Sequence, residues 1–347
     1  MTNSVRERRW LLVVIALAVF ALAAAACSPG PEQAEPGSGD QSPAPEQDAS
    51  GSEPPAAGEA ATIRVGDITG IPAAFLQYAV QEGFMEEQGL TVEVVPSPGG
   101  AANVPGIESG DFQIAGSNVV SVLLARSQGL GIKMISAGTF ATEDPAEDFS
   151  QVLVAQDSPI QEPADLNGRA VAVNTLSNIA EVTIRASVEN AGAEHSDIEF
   201  VEMGFPEMVP ALQGGEVDAV HVIEPFLSIG LNEGLRPVIA PYAGTEPGMA
   251  IGSYFSSDAY IEENPEVIDG FIAGVTAAGD AIAEDPDAFR ESLVDLADLD
   301  PAVAESVKLP EWGGPIDTAS VELIGELMVR YGLFDEMPPL EDVAYQP

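Results

Sequence analysis

Residues 204–227 read GFPEMVPALQGGEVDAVHVIEPFL, and these 24 residues hold a helix, a turn, a buried strand and an acidic strand exit. Pro210 has no backbone N–H and belongs in a first helical turn, which predicts a helix beginning near Met208, after Phe205-Pro206. Gly214-Gly215 end it with residues free to adopt positive φ. Val217 to Ile223 is apolar enough to be buried on both faces, as parallel strands are. Glu224-Pro225 stops that strand and leaves a carboxylate at the carboxyl end of the sheet, the edge where open α/β sheets hold ligands.

The pattern occurs twice. Ser109-Gly110-Asp111-Phe112-Gln113-Ile114-Ala115 matches in kind Gly214-Gly215-Glu216-Val217-Asp218-Ala219-Val220: a helix-ending glycine, an acid, then a short strand. Two copies predict two similar α/β lobes. The segments FPEMVPAL, GGEVDA and EPFL also resemble the second-lobe signature of the solute-binding proteins of ABC importers for sulfonates, taurine, nitrate and the pyrimidine precursor of thiamine. The resemblance runs from about Ile63 to about Val343 and implies a type II periplasmic-binding-protein fold, with the ligand cleft between the lobes.

At 347 residues the chain exceeds the usual limit of a single core, in keeping with two lobes. A formal charge of −44 argues against nucleic acid and against electrostatic binding to anionic lipid, both of which need basic patches. Such an acidic surface, with Lys133 and Lys308 as the two lysines, suits either a salty habitat or an ordinary acidic secreted protein. Cys27 is the single cysteine, so neither a disulfide framework nor a thiolate cluster is expected. The two histidines, His195 in a polar loop and His221 in an apolar strand, read as solvated and packed rather than metal-ligating. No metal or cofactor is expected.

Residues 1–27 carry Arg6, Arg8 and Arg9, an apolar run from Trp10 to Ala26, and Cys27. This is a signal peptide. It resembles a bacterial lipoprotein signal in which Cys27 becomes lipidated, with Ala24 standing where that pattern prefers an aliphatic residue; an uncleaved anchor is the other reading. Residues 28–61 are rich in Pro, Gly, Ser, Ala, Gln and Glu without aliphatic periodicity, the composition of a disordered tether. With the resemblance, this implies an extracytoplasmic protein lipid-anchored to the outer face of a bacterial cytoplasmic membrane. Residues 62–153 are then the first part of lobe 1, 154–240 lobe 2, and 241–347 the completion of lobe 1.

In lobe 1, Ile63 to Gly66 predicts a strand, with a helix following from Pro72 to about Gln88. Between them the loop holds Thr69, Gly70 and Ile71 as candidate ligand contacts. Leu90 to Val95 is the second strand, and Pro98 to Asn103 a glycine-rich bend, either a plain turn or, at Ala101 and Asn103, a place where a backbone can approach a small ligand; the lysine of a phosphate loop is missing. Phe112 to Ala115 is the third strand. Ser117 and Asn118 follow at a strand-to-helix junction, either as donors to a ligand or, for Ser117, as the helix cap. Ile132 to Ala137 is a strand leading to Phe140, read as a pocket wall. Gln151 to Ala155 reads as the crossing into lobe 2.

There, Pro163 to Gly168 resembles the family's loop before a strand, and Thr175, Ser177 and Asn178 offer small donors at a helix N-terminus. Leu235 to Ile239 and Met249 to Phe255 read as strands returning to lobe 1. The helices beginning at Pro265 and Asp317 have continuous apolar faces, and Trp312 is assigned to the core.

These readings predict a binding protein that captures a small polar solute and docks, as a monomer, on a permease and its ATPase. Glu224 either accepts from an amine or amidine of the solute or caps its own loop. On the first alternative a taurine-like sulfonate ranks ahead of an aminopyrimidine, with nitrate behind. Enzymes that make the thiamine pyrimidine resemble this chain in fold but carry a cysteine-rich motif, and Cys27 would be at the anchor. Neither histidine has a nucleophile context in the sequence, so no catalytic residue is assigned.

Overall fold

The computed structural model describes residues 60–346. The expected signal segment, Cys27 and nearly all of the tether lie outside them. In chain order the strands are β1 (Ala61–Ile68), β2 (Leu90–Ser97), β3 (Ile114–Asn118), β4 (Ile132–Ala137), β5 (Thr139–Phe140), β6 (Ser150–Val154), β7 (Ala170–Val173), β8 (Glu199–Glu202), β9 (Ala219–Ile223), β10 (Arg236–Ile239), β11 (Gly252–Ser257) and β12 (Glu311–Trp312).

Two five-stranded sheets share one plan. The first runs β2-β1-β3-β11-β4 and the second β8-β7-β9-β6-β10. In each, three parallel strands are followed by an antiparallel fourth, β11 or β6. The fourth strand is the one the chain adds on arriving from the other sheet, and this exchange ties the lobes together. The chain passes to the second sheet between Phe140 and Ser150 and returns between Ile239 and Gly252. Two sequence expectations change here. Gln151 to Ala155 is no crossing segment, because β6 is fully buried between β9 and β10. Leu235 to Ile239 does not return to lobe 1 either, since β10 pairs with β6 at the edge of the second sheet.

The internal repeat is closer in space than in letters. Helices Gly100–Ser109 and Phe205–Gly214 each hold a proline, Pro105 and Pro210, at their sixth position. They end on Gly110 and Gly215 in the left-handed conformation, and β3 and β9 follow from Ile114 and Ala219. Every pair is 105 residues apart. The expected bend at Pro98 to Asn103 is therefore the start of a helix. The helix expected from Met208 begins instead at Phe205, with Pro206 in its first turn and Pro210 inside it.

The first helix, Ile71–Gln81, is shorter than its apolar pattern suggested. Gly83 takes φ +85° just beyond it, and a separate turn at Glu86–Gln88 carries the chain to β2. Phe84 still packs against the core, which is why the periodicity appeared to continue. The long helix Pro265–Glu284 and the helix Thr318–Arg330 bury Phe271, Val275 and Ile282, and Val321, Ile324 and Met328 respectively. Among the described residues no helix is long and apolar enough to cross a membrane.

Candidate functional site

The two sheets meet at a cavity containing about 580 Å³ of empty space, the part continuous with solvent included. Lobe 1 contributes Asp67, Ser117, Asn118, Thr139, Ser253, Tyr254 and Trp312; Phe149, Asn174, Ile179, Phe205 and Tyr242 come from the other side. Most of these stand at strand ends or at the junctions that follow, where side chains leave the sheet and enter the gap. Five lining residues are aromatic: Phe149, Phe205, Tyr242, Tyr254 and Trp312. Trp312 stacks on Phe75, with ring centroids 4.3 Å apart and planes within 4°. It is thus both core and cavity wall, where the sequence suggested core alone.

Three polar atoms of the lining lack a hydrogen-bond partner in the protein: Ser117 Oγ, Ser253 Oγ and Trp312 Nε1. Leaving a buried polar group unpaired costs free energy, so a cluster of them at one cavity marks a place built to be satisfied by something else. Ser117 does not cap the helix behind it. That role falls to Asn118, whose Oδ1 accepts the N–H of Ser121 at 3.0 Å. Gly100 makes room for Ser117, since a Cβ there would lie 2.1 Å from Ser117 Oγ.

A second capping asparagine meets the first across the lobes. Asn178 caps helix Ile179–Asn190, and its Nδ2 donates to Ser121 Oγ at 3.0 Å. Asn178 is buried beside the cavity and ties the lobes together. Thr175 and Asn174 lie against Gly99, at whose Cβ position they would be 3.2 and 3.0 Å away. Ser177 points elsewhere: it is exposed, takes φ +51°, and its N–H donates to Glu181 Oε1.

The remaining expected contacts are absent from the cavity lining. Thr69 donates to the Ser97 carbonyl, Gly70 precedes the first helix at φ +115°, and Ile71 is fully buried. Ala101 and Asn103 lie in the helix Gly100–Ser109, where Asn103 Nδ2 donates to the Gly116 carbonyl at 2.8 Å. Phe140 pairs with Glu311 on the two-stranded sheet, and its neighbour Thr139 faces the cavity instead.

Glu224 requires the largest correction. It is fully buried, and its carboxylate accepts three hydrogen bonds: from Ser228 N–H at 3.0 Å, Ser228 Oγ at 2.9 Å and Lys308 N–H at 3.0 Å. Its carbonyl accepts from Ile71 N–H at 3.4 Å. Glu224 therefore caps the helix Phe226–Asn232 and clasps lobe 1; it does not line the cavity. Burial raises its carboxyl to about 7, while these donors pull it down.

The cavity's carboxylate is one that sequence reasoning passed over. Asp67, 2% exposed near the end of β1, accepts the Ile68 N–H at 2.7 Å and the Tyr254 hydroxyl at 3.2 Å. Burial pushes it up to about 7. Its position two residues before Thr69 was the available signal, because strand-end acids are the residues a cleft exposes. Among the described residues, no arginine, lysine or histidine lines the cavity. His221 lies deeper, fully buried, with Nε2 2.8 Å from Ser150 Oγ and its charge suppressed by burial to about 3. Among the described residues no cluster of histidine, cysteine and carboxylate side chains is arranged to hold a metal.

With this geometry in hand, a family model described as NMT1/THI5 like matches residues 72–289. The taurine-binding periplasmic protein of Escherichia coli (strain K12) is 23% identical over 216 residues, 62% of this chain and 65% of its own length. The formylaminopyrimidine-binding protein of Halalkalibacterium halodurans is 26% identical over 220 residues, 61% of this chain and 63% of its own. The chain thus spans under two thirds of the length of these curated relatives. Among solved structures, the alkanesulfonate-binding protein SsuA from Xanthomonas axonopodis pv. citri, bound to MOPS, superimposes with a TM-score of 0.67 at 19% identity, over 82% of this chain and 96% of that one. At that identity the likeness shows the fold: two lobes of the periplasmic-binding type.

Proposed function

Because the chain belongs to the NMT1/THI5-like family, we propose that it is the extracytoplasmic solute-binding component of an ABC importer, lipid-anchored through Cys27. It captures a small polar solute between its lobes and delivers it to a membrane permease driven by an ATPase. Its role is capture and release rather than catalysis. The observation that carries this reading is the inter-lobe cavity with three unpartnered polar atoms, Ser117 Oγ, Ser253 Oγ and Trp312 Nε1, which a solute would satisfy. The contacts Asn178 to Ser121 and Glu224 to Lys308 support a hinge mechanism, since each must break for the lobes to part.

The curated relatives bind different solutes by name, taurine and a formylaminopyrimidine, so the site chemistry has to choose. The preference for a taurine-like sulfonate rested on a carboxylate at Glu224; Asp67 supplies that carboxylate instead. A thermal-shift screen with taurine, alkanesulfonates, nitrate and aminopyrimidines tests the reading. A bound solute at 100 times its dissociation constant adds about 2.7 kcal/mol to apparent stability. A clear rise with one chemical class is expected; no rise with any solute tried contradicts a binding role.

A further inference from the structure

The structure assigns Asp67 and Tyr254 as the pair that selects the solute by its nitrogen: the cleft takes an ammonium, amidinium or amino-heterocycle end and disfavours a bare sulfonate or nitrate. This rests on the solute-binding reading above. A carboxylate offers about four acceptor positions, and Asp67 uses two of them, one for its neighbour's N–H and one for the Tyr254 hydroxyl. Its burial without a cation is costly unless a positive or N–H-rich partner arrives.

The backbone around Asp67 is shaped to keep it there. A Cβ on Gly116 would lie 2.0 Å from Asp67 Oδ1, so a side chain at 116 would evict the carboxylate. Glycine at that position seats an acid in the cavity wall. The rest of the lining agrees in charge. No basic side chain is among the described lining residues, and the rings of Tyr242, Tyr254 and Trp312 supply much of the remaining wall.

A bare anion finds less. The positive ends of helices Val119–Ser127 and Ile179–Asn190 approach the cavity, but Asn118 and Asn178 already cap them, and Ser121 ties those caps together. Wherever Asp67 is ionised, an anion beside it would also meet like charge. A zwitterion such as taurine remains compatible, with its ammonium at Asp67.

The test uses the full chain in mild detergent and solutes in matched sets: taurine against ethanesulfonate, and formylaminopyrimidine against nitrate. Titration calorimetry near pH 6.5, repeated in two buffers of different ionisation enthalpy, reads affinity and proton release together. The expected result is binding by a nitrogen-bearing member, accompanied by proton release as Asp67 ionises. Asp67→Asn should weaken that binding about tenfold or more and abolish the proton release. Tyr254→Phe should weaken it a few-fold, and both variants should keep a cooperative melt. Ethanesulfonate or nitrate binding as tightly as its nitrogen-bearing counterpart, or unchanged affinity in Asp67→Asn, overturns the inference and leaves the solute-binding role standing. A chain that binds nothing in this set or in a broad panel of small solutes overturns that role and the inference with it.

Discussion

Two strand ends carry the same chemistry to opposite purposes. Asp67 near the end of β1 and Glu224 just past β9 are both buried carboxylates at the carboxyl edge of a parallel strand, and burial lifts both to about 7. Glu224 accepts three hydrogen bonds from the protein, one of them from the Lys308 N–H of the opposite lobe. Asp67 has two and stands in the cavity wall. The difference is that the fold leaves part of Asp67's hydrogen-bonding capacity unused and places it at the cavity, whereas Glu224 spends most of its own on the protein.

The largest effect treats the two acids alike. Asp67 and Glu224 each have a folded-state value near 7 against 3.8 and 4.5 for the free groups. Their protonated forms favour the folded chain, so this stability is fully present below about pH 4 and is lost as pH rises through about 7. Each group contributes up to about 4 kcal/mol over that window. Melting temperature should rise as pH is lowered from 8 to 5, the reverse of an ordinary salt-bridged protein; a flat or falling profile breaks the comparison at its root.

Removing the acids one at a time separates them. Glu224→Ala strands the Ser228 and Lys308 donors in the interior and should cost about 3 kcal/mol in a denaturant titration. Gly116→Ala forces its methyl onto Asp67 and should cost about 2 kcal/mol while abolishing solute binding. The mildest change, Ser121→Ala, removes the link between the two capping asparagines for about 1 kcal/mol and should speed solute release in stopped-flow measurements.

Much of the architecture was legible because it depends on local chemistry. Gly110 and Gly215 take the left-handed helix ends that the repeated pattern required, and the largely apolar, fully buried strand β9 follows from burial on both faces. Helix bounds were less legible where proline and glycine crowd together, as at Gly100 to Pro105, since tertiary packing there overrides propensity. The site was least legible. Which of Ser117, Asn118 and Asn178 caps a helix and which is left unpaired depends on side-chain direction across two lobes, and the turning inward of Glu224 depends on Lys308, 84 residues away in the chain. Sequence located the edge of the sheet where the cavity lies; only the packing distinguishes the acid that faces the cavity from the acid that faces the protein.

The most direct measurement melts Asp67→Asn and Glu224→Gln beside the wild type, with and without a nitrogen-bearing solute such as taurine or formylaminopyrimidine. The account predicts a crossed result: Asp67→Asn melts at or above the wild type and gains nothing from the solute, whereas Glu224→Gln melts lower and keeps the full ligand-induced rise. A solute-induced rise that survives in Asp67→Asn, or is lost in Glu224→Gln alone, would contradict it.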